Sequence, residues 1–135
     1  MKETKILTES DIAVIAQAAQ EEARKNNWKV TIAITDAGGH ILWMQRMDGA
    51  PVMGSIVAAE KARASALTGR PSKALEDMVN NGRFAALSMP ISPLEGAEPI
   101  IVDGNVIGAI GASGVAAPDD AKIAQAGLAA LAVTV

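Results

Sequence analysis

Three side chains in this sequence stand out as able to do chemistry: His40, Arg46 and Lys61. His40 is the single imidazole among 135 residues, and its ordinary pKa near neutrality suits proton transfer or axial ligation of a haem iron. Arg46 carries a planar guanidinium that pairs bidentately with carboxylates. Lys61 is surrounded by alanines, a setting that could hold its amine against a pocket.

Each of the three also has a plainer interpretation. His40 follows two glycines and is typical of a solvated hairpin residue, Arg46 can form a local ion pair with Asp48, and Lys61 can lie on a solvated helix face. Because the chain has no cysteine and one histidine, thiolate catalysis, zinc–cysteine sites and multi-histidine metal sites are excluded within one chain. A Ser-His-Asp arrangement has no support either.

Carboxylates supply the remaining acid–base candidates. Glu95 and Glu98 lie near the end of a proline-containing segment, 82–98, that we expect to be an irregular connection. Beside an otherwise apolar pocket they would have raised pKa values suited to proton transfer. Asp119 and Asp120 are interpreted more simply, as partners of the positive end of a closing helix.

A glycine-rich run over residues 108–114 ends in Ser113 and Gly114. Its GxxGxxG spacing differs from the GxGxxG dinucleotide motif, so a nucleotide site is not favoured. The plain interpretation is that glycines in a strand allow close backbone approach. The functional alternative is that Ser113 and Gly114, at a strand end before a helix, present a hydroxyl and backbone amides to an anion.

The pattern of apolar residues predicts which elements position these groups. A helix capped by Thr8 should run to about residue 25, followed by a half-buried strand at 28–35 and a second strand at 40–47. Ser55 and Ser72 are expected to cap helices that end near residues 67 and 81. A hairpin of 99–102 and 106–112 and a helix from Pro118 to about residue 131 complete the chain. This order predicts an α+β fold, with a central antiparallel sheet flanked by helices, in a single domain over residues 1–135.

Composition excludes several classes of protein. The net charge of −3 and the pI near 5.1 argue against a nucleic-acid partner. The longest apolar stretches are far shorter than a membrane span, so no membrane partner is expected. Since the N-terminus shows no secretory signal, we expect a cytoplasmic protein.

Several blocks of sequence together resemble the GlcG/HbpS-like family, which includes relatives of the C-terminal domain of PduO. The blocks are DAGGH at 36–40, RMDGA at 46–50, KARAS at 61–65, Pro99 with the DG pair at 103–104, and VIGAIGASG at 106–114, followed by Asp120. The resemblance implies a profilin-like fold, a homo-oligomer, and haem or another tetrapyrrole as ligand. Haem-binding relatives carry a histidine on the first helix, whereas this chain has none between Thr8 and Asn27.

The function expected from the sequence is therefore an oligomeric small-ligand-binding protein. Arg46, Lys61, Ser113 and Gly114 are expected to line its pocket, with His40 as a haem ligand. The alternative is a small catabolic enzyme of the isomerase, hydratase or lyase type that acts on a carboxylate-bearing metabolite. Its catalytic candidates are Lys61, Glu98 and His40.

Overall fold

A single antiparallel sheet of four strands organises the chain. The computed structural model describes residues 1–134, of which 132–134 are described by their helical backbone alone. In chain order the elements are α1 (Glu9–Lys25), β1 (Thr31–Asp36), β2 (Ile41–Arg46), α2 (Gly54–Thr68), α3 (Ser72–Asn80), a 3₁₀ turn (Phe84–Ser88), β3 (Ala97–Val102), β4 (Asn105–Ser113) and α4 (Ala117–Thr134). The strand order is β2-β1-β4-β3. The predicted α+β class, with helices flanking an antiparallel sheet, is confirmed.

Helices cover the central strands on both faces. Along β1, Ile32 and Ile34 join the large core formed with α1 and α4, whereas Ala33 joins a smaller core of alanines with α2. The prediction that this strand is half-buried is wrong, because Thr31 and Thr35 are also fully buried. The strand also begins at Thr31, three residues later than its apolar alternation suggested.

The layer formed by α2 lies unusually close to the sheet because the residues between them are small. A Cβ atom added at Gly111 would lie 2.7 Å from the carbonyl oxygen of Ala58 and 3.1 Å from the Cβ of Ala62. Only glycine in β4 and alanine in α2 permit this contact. The close backbone approach expected of the glycine-rich run is thus observed.

The predicted helix caps are confirmed at α1 and wrong at the next two helices. Thr8 and Asp11 form a capping box, and hydrogen bonds from the backbone and side chain of Thr8 lower the pKa of Asp11. Ser55 does not cap α2, because its hydroxyl donates to the carbonyl oxygen of Val52. Ser72 does not cap α3 either; its Oγ accepts a hydrogen bond of 2.9 Å from the backbone N–H of Ala97, which ties α3 to β3.

A buried ion pair joins the two helical layers at one end of the sheet. Lys61 on α2 is 4% exposed, and its Nζ lies 3.0 Å from Oδ2 of Asp120 on α4. The same amine donates to the carbonyl oxygen of Ala112, and Asp120 also accepts from the N–H of Val115. The solvated-face interpretation of Lys61 is therefore wrong. The dipole interpretation of Asp120 is incomplete, because its main partner is the lysine.

Burial and pairing with Lys61 shift the pKa of the Asp120 carboxyl group in opposite directions. Burial raises the pKa of Asp120, and the ammonium of Lys61 partly offsets that effect. Space for the amine comes from Gly96, where an added Cβ would lie 2.8 Å from Nζ. Gly96 has φ of +136°, so a side chain there would also strain the backbone.

Glu98 on β3 faces the side of the sheet covered by α1 and α4. It pairs with Ile110 of the large core, and its Oε1 accepts a hydrogen bond of 3.2 Å from Gln125 on α4. Burial raises the pKa of Glu98, and the hydrogen bond from Gln125 lowers it by less. The pKa increase expected for this residue is therefore present.

Within residues 1–134, no helix combines the length and the apolar character that a membrane crossing requires.

Replacing Lys61 by Met should lower the free energy of unfolding by about 3–5 kcal/mol, since Asp120 would be left buried without a countercharge. Urea denaturation measures the loss. Lys73→Met is the matched control, because it breaks the exposed pair between Lys73 and Asp77; its stability should stay at the wild-type value. Equal losses in the two variants would contradict the structural role of the buried pair.

Replacing Glu98 by Gln should stabilise the protein at about pH 7 and leave its stability unchanged near pH 3. Folding raises the pKa of this carboxyl group above its usual 4.5. Its contribution to the stability of the protein is therefore complete at low pH and is lost as the pH rises through the folded-state pKa. Gln keeps the contact with Gln125 without that charge. Denaturation curves at several pH values measure the difference, and a gain that grows as the pH falls would contradict the assignment.

Candidate functional site

An apolar cavity of about 490 Å³ opens at the end of the sheet where β1 turns into β2. Its walls come from the N-terminal segment, β2 and β4, with Ile6, Leu7, Leu42, Val106 and Ile107 as apolar lining residues. The volume lies within the roughly 300–1,000 Å³ typical of ligand pockets.

A carboxylate and an imidazole of this cavity, those of Asp36 and His40, lie in contact. Its Nδ1 lies 3.2 Å and 3.3 Å from the two carboxylate oxygens of Asp36. Oδ1 of Asp36 also accepts hydrogen bonds of 2.9 Å from the backbone N–H groups of Gly38 and His40. Burial raises the pKa of Asp36, but these hydrogen bonds and the imidazole together lower it below its usual value. The carboxylate therefore stays ionised and orients the ring.

The turn between the strands makes this geometry possible. Gly39 has φ of +79°, a left-handed conformation that glycine adopts without strain. The imidazole lies directly over Gly38, where an added Cβ would come within 2.8 Å of Cε1 and 2.9 Å of Nδ1. The ring position thus depends on the missing side chain at residue 38.

The other imidazole nitrogen is available to a ligand. The His40 side chain is 81% exposed, and its Nε2 has no hydrogen-bond partner among the described residues. A carboxylate on one ring nitrogen and an open second nitrogen form the arrangement found behind metal-ligating histidines. Across residues 1–134, no cluster of three or more His, Cys, Asp or Glu side chains is placed to hold a metal ion.

The N-terminal segment that closes the cavity is anchored to the β3–β4 turn. Lys5 forms an ion pair of 3.5 Å with Asp103, and Lys2 donates a hydrogen bond of 2.7 Å to Asn105. Thr4 and Lys5 also line the cavity. The hydroxyl of Thr4 and the ion-paired ammonium of Lys5 thus lie at its rim.

The structure does not bring Arg46, Lys61 and Ser113 together with His40. Arg46 and Ser113 both pair with Thr31, at the opposite end of β1 from Asp36. Five residues of strand separate the two ends by about 16 Å. Arg46 also forms no ion pair with Asp48 in the described part of the chain.

Two of the remaining predicted site residues, Lys61 and Gly114, lie beside Ser113 at that end of the sheet. The amine of Lys61 is held in the buried pair, and Gly114 packs so closely that an added Cβ would lie 2.6 Å from the carbonyl oxygen of Lys29. Glu98 is on the opposite face of the sheet from Arg46. Glu95 is buried against α3, where its backbone N–H lies 3.4 Å from Oε1 of Glu76.

Sequence reasoning missed Asp36 and the N-terminal wall of the cavity. Asp36 stands four residues before His40 across a Gly-Gly turn, and turn-forming Asp side chains accept hydrogen bonds from the backbone that follows. The role of Asp36 could therefore be predicted from the sequence. The role of Ile6 and Leu7 could not, because a segment outside any helix or strand pattern does not indicate where it packs.

Comparison with known proteins gives the same family at the level of sequence and of fold. The model of the family described as haem degrading protein HbpS-like matches residues 7–129. Protein GlcG of Escherichia coli strain K12 is 47% identical over 114 residues, covering 84% of this chain and 85% of that protein.

Solved structures agree with this assignment. The crystal structure of HbpS has a TM-score of 0.87 at 26% identity, covering 96% of this chain and 92% of that chain. The crystal structure of a PduOC–haem complex has a TM-score of 0.85 at 28% identity, covering 93% and 95%. The predicted resemblance is confirmed, and the chain belongs to the HbpS-like family.

Proposed function

We propose that this protein binds haem in the His40 cavity, where Nε2 of His40 would ligate the iron. The observation that carries the proposal is the Asp36–His40 pair at the mouth of an apolar cavity. It supplies an oriented, accessible imidazole beside a surface suited to a porphyrin. The haem complex of the related PduOC supports this ligand class.

The residues present fit the group. Haem supplies an iron with axial coordination positions, an apolar macrocycle and two carboxylates. Leu7, Leu42 and Ile107 would contact the macrocycle. Asp36 would hold the ring of His40 in position by accepting from Nδ1. Because the chain has one histidine, imidazole ligation within a single copy must use His40.

We also propose that the protein is a homo-oligomer that associates through β2. This strand is an edge of the sheet, and it exposes Ile41, Leu42 and Met44. Natural monomers usually protect such an edge with proline, lysine or a covering element. The other edge strand, β3, has Pro99, whereas β2 has no such protection. Pairing of β2 with a second copy would satisfy its unpaired backbone groups and cover Ile41 and Met44.

The enzyme alternative stays a prediction without an assembled site. Its candidates Lys61, Glu98 and His40 lie, respectively, in a buried ion pair, on the α1 and α4 face, and on the β1–β2 turn. The cytoplasmic location also stays a prediction.

His40→Ala should abolish the specific Soret shift that haemin produces when it is titrated into the wild-type protein. The wild type should saturate at one haem per chain, because each chain has one cavity with an imidazole. Absorbance spectroscopy measures both titrations. A shift retained in full by His40→Ala would remove His40 from the site.

Two further substitutions separate ligation from general damage. Gly38→Ala should displace the imidazole at little cost in stability, since the backbone at residue 38 is not left-handed. Asp36→Asn should remove the carboxylate that orients the ring. Each should weaken haemin binding by about 10–100-fold, whereas Asp77→Asn, at an exposed carboxylate on α3, should not. Wild-type affinity in both Gly38→Ala and Asp36→Asn would contradict the oriented-imidazole mechanism.

Met44→Lys should shift the assembly toward monomer by placing a charge on the exposed edge strand. Met44 pairs with Ala33 in mid-strand, away from the His40 turn. Size-exclusion chromatography with light scattering gives the mass. Phe84→Lys is the control, because Phe84 is an exposed apolar residue of the 3₁₀ turn. A monomeric wild type, or equal effects of both substitutions, would refute association through β2.

A further inference from the structure

A second, polar cavity lies at the other end of β2 from the His40 site. Its volume is about 290 Å³, and it is bounded by the C-terminal end of α1, the residues that follow this helix, and the end of β2. A volume just below the usual range for ligand pockets suits a molecule of small-metabolite size. None of its lining residues contributes to the His40 cavity.

Two cations, Arg24 and Lys29, line this cavity, and neither is held in an ion pair with a described residue. The neighbouring Lys25 differs in both respects, since it pairs with Glu22 at 3.4 Å and does not line the cavity. Of these three neighbouring cations, the two that form no ion pair are thus the two that line the cavity.

The backbone places both residues beside the cavity. Asn27 has φ of +57°, and its N–H donates to the carbonyl oxygen of Arg24, which turns the chain sharply after α1. The stem of Lys29 lies over Gly49, where an added Cβ would be 2.8 Å from its Cδ. Carbonyl oxygens at the end of α1 already accept hydrogen bonds from Asn26, Asn27 and Trp28. The negative end of the helix is therefore partly neutralised next to the cavity.

The remaining polar groups define what the cavity can recognise. Gln45 accepts a hydrogen bond from Gln20 through its Oε1, which leaves its amide N–H groups free to donate. Asp48 is the one carboxylate of the lining and has no ion-pair partner in the described chain. Trp28 supplies an apolar wall. Two cations and one acceptor fit a ligand with up to two negative charges and a hydroxyl group.

We propose that this cavity is a binding site for a small hydroxy-carboxylate, with Arg24 and Lys29 holding its carboxylates and Asp48 accepting from its hydroxyl. Arginine suits carboxylates because its planar fork donates two parallel hydrogen bonds. The single carboxylate of the lining makes a divalent cation a poor occupant, since such cations prefer several oxygen ligands. This site is independent of haem binding, so each proposal can fail without the other.

Titration with malate, followed by NMR, tests the site directly. The chain has two tryptophans, and only Trp28 lines the cavity. The Trp28 indole N–H signal should shift saturably, with a Kd of about 1 mM or tighter, while that of Trp43 shifts much less. Succinate, which lacks the hydroxyl, should bind several-fold more weakly, and Asp48→Asn should remove that difference.

Charge-matched variants complete the test. Arg24→Gln and Lys29→Gln should each weaken malate binding about tenfold or more, because each removes a charge-assisted hydrogen bond. Lys25→Gln removes the same charge from the same region, outside the cavity, and should bind malate like the wild type. Three results would overturn the proposal: no saturable shift, equal weakening by Lys25→Gln, or inorganic phosphate binding as tightly as malate. Haemin titration of Arg24→Gln should match the wild type, which keeps this test separate from that of the His40 site.

Discussion

A lysine amine buried against a carboxylate holds the two helical layers of this protein together. The pair of Lys61 and Asp120 connects α2 on one face of the sheet to α4 on the other, and it contacts the last residues of β4 between them. A buried ion pair stabilises little relative to an apolar contact, but loss of either partner is costly because the remaining charge stays in an apolar environment. The interaction thus fixes how α2, β4 and α4 are placed more than it adds net stability.

This constraint explains why α2 is rich in alanine. Because the side chain of Lys61 must extend past the end of the sheet, α2 has to lie close to the strands. The small residues Gly111, Ala58 and Ala62 at the contact allow this close approach. The layer on this side is therefore thin, whereas the opposite layer of α1 and α4 encloses the larger isoleucine-rich core. The asymmetry leaves β2 only partly covered, and the exposed strand edge follows from it.

The sequence predicts the order of elements well, because that order depends on local signals: apolar period, turn residues and caps. Burial and partners are less predictable, since they depend on what the fold brings from elsewhere. Thr31 and Thr35 alternate with isoleucines as in a half-buried strand, and only the alanine face of α2 buries them. Lys61 is similar. Nothing in its neighbours along the helix shows that Asp120, 59 residues later, will lie beside it. Ser72 does not cap α3 because its Oγ accepts a hydrogen bond from the backbone N–H of Ala97 instead.

The candidate site shows the same division. His40 and its hairpin follow from local sequence, and so does the Asp36 interaction once the Gly-Gly turn is considered. Grouping His40 with Arg46 and Ser113 fails for a geometric reason, since residues at opposite ends of one strand are separated by its whole length. Glu98 cannot share a pocket with Arg46, because successive strand residues face opposite sides of the sheet and these two residues lie on different sides. Both proposed sites lie instead where β2 meets a turn. There the left-handed backbones of Gly39 and Gly49 let side chains and strand ends approach closely, while the rigid central strands hold each turn in place. An edge strand with apolar residues in its middle and polar turns at both ends can therefore carry two independent binding sites without disturbing the core.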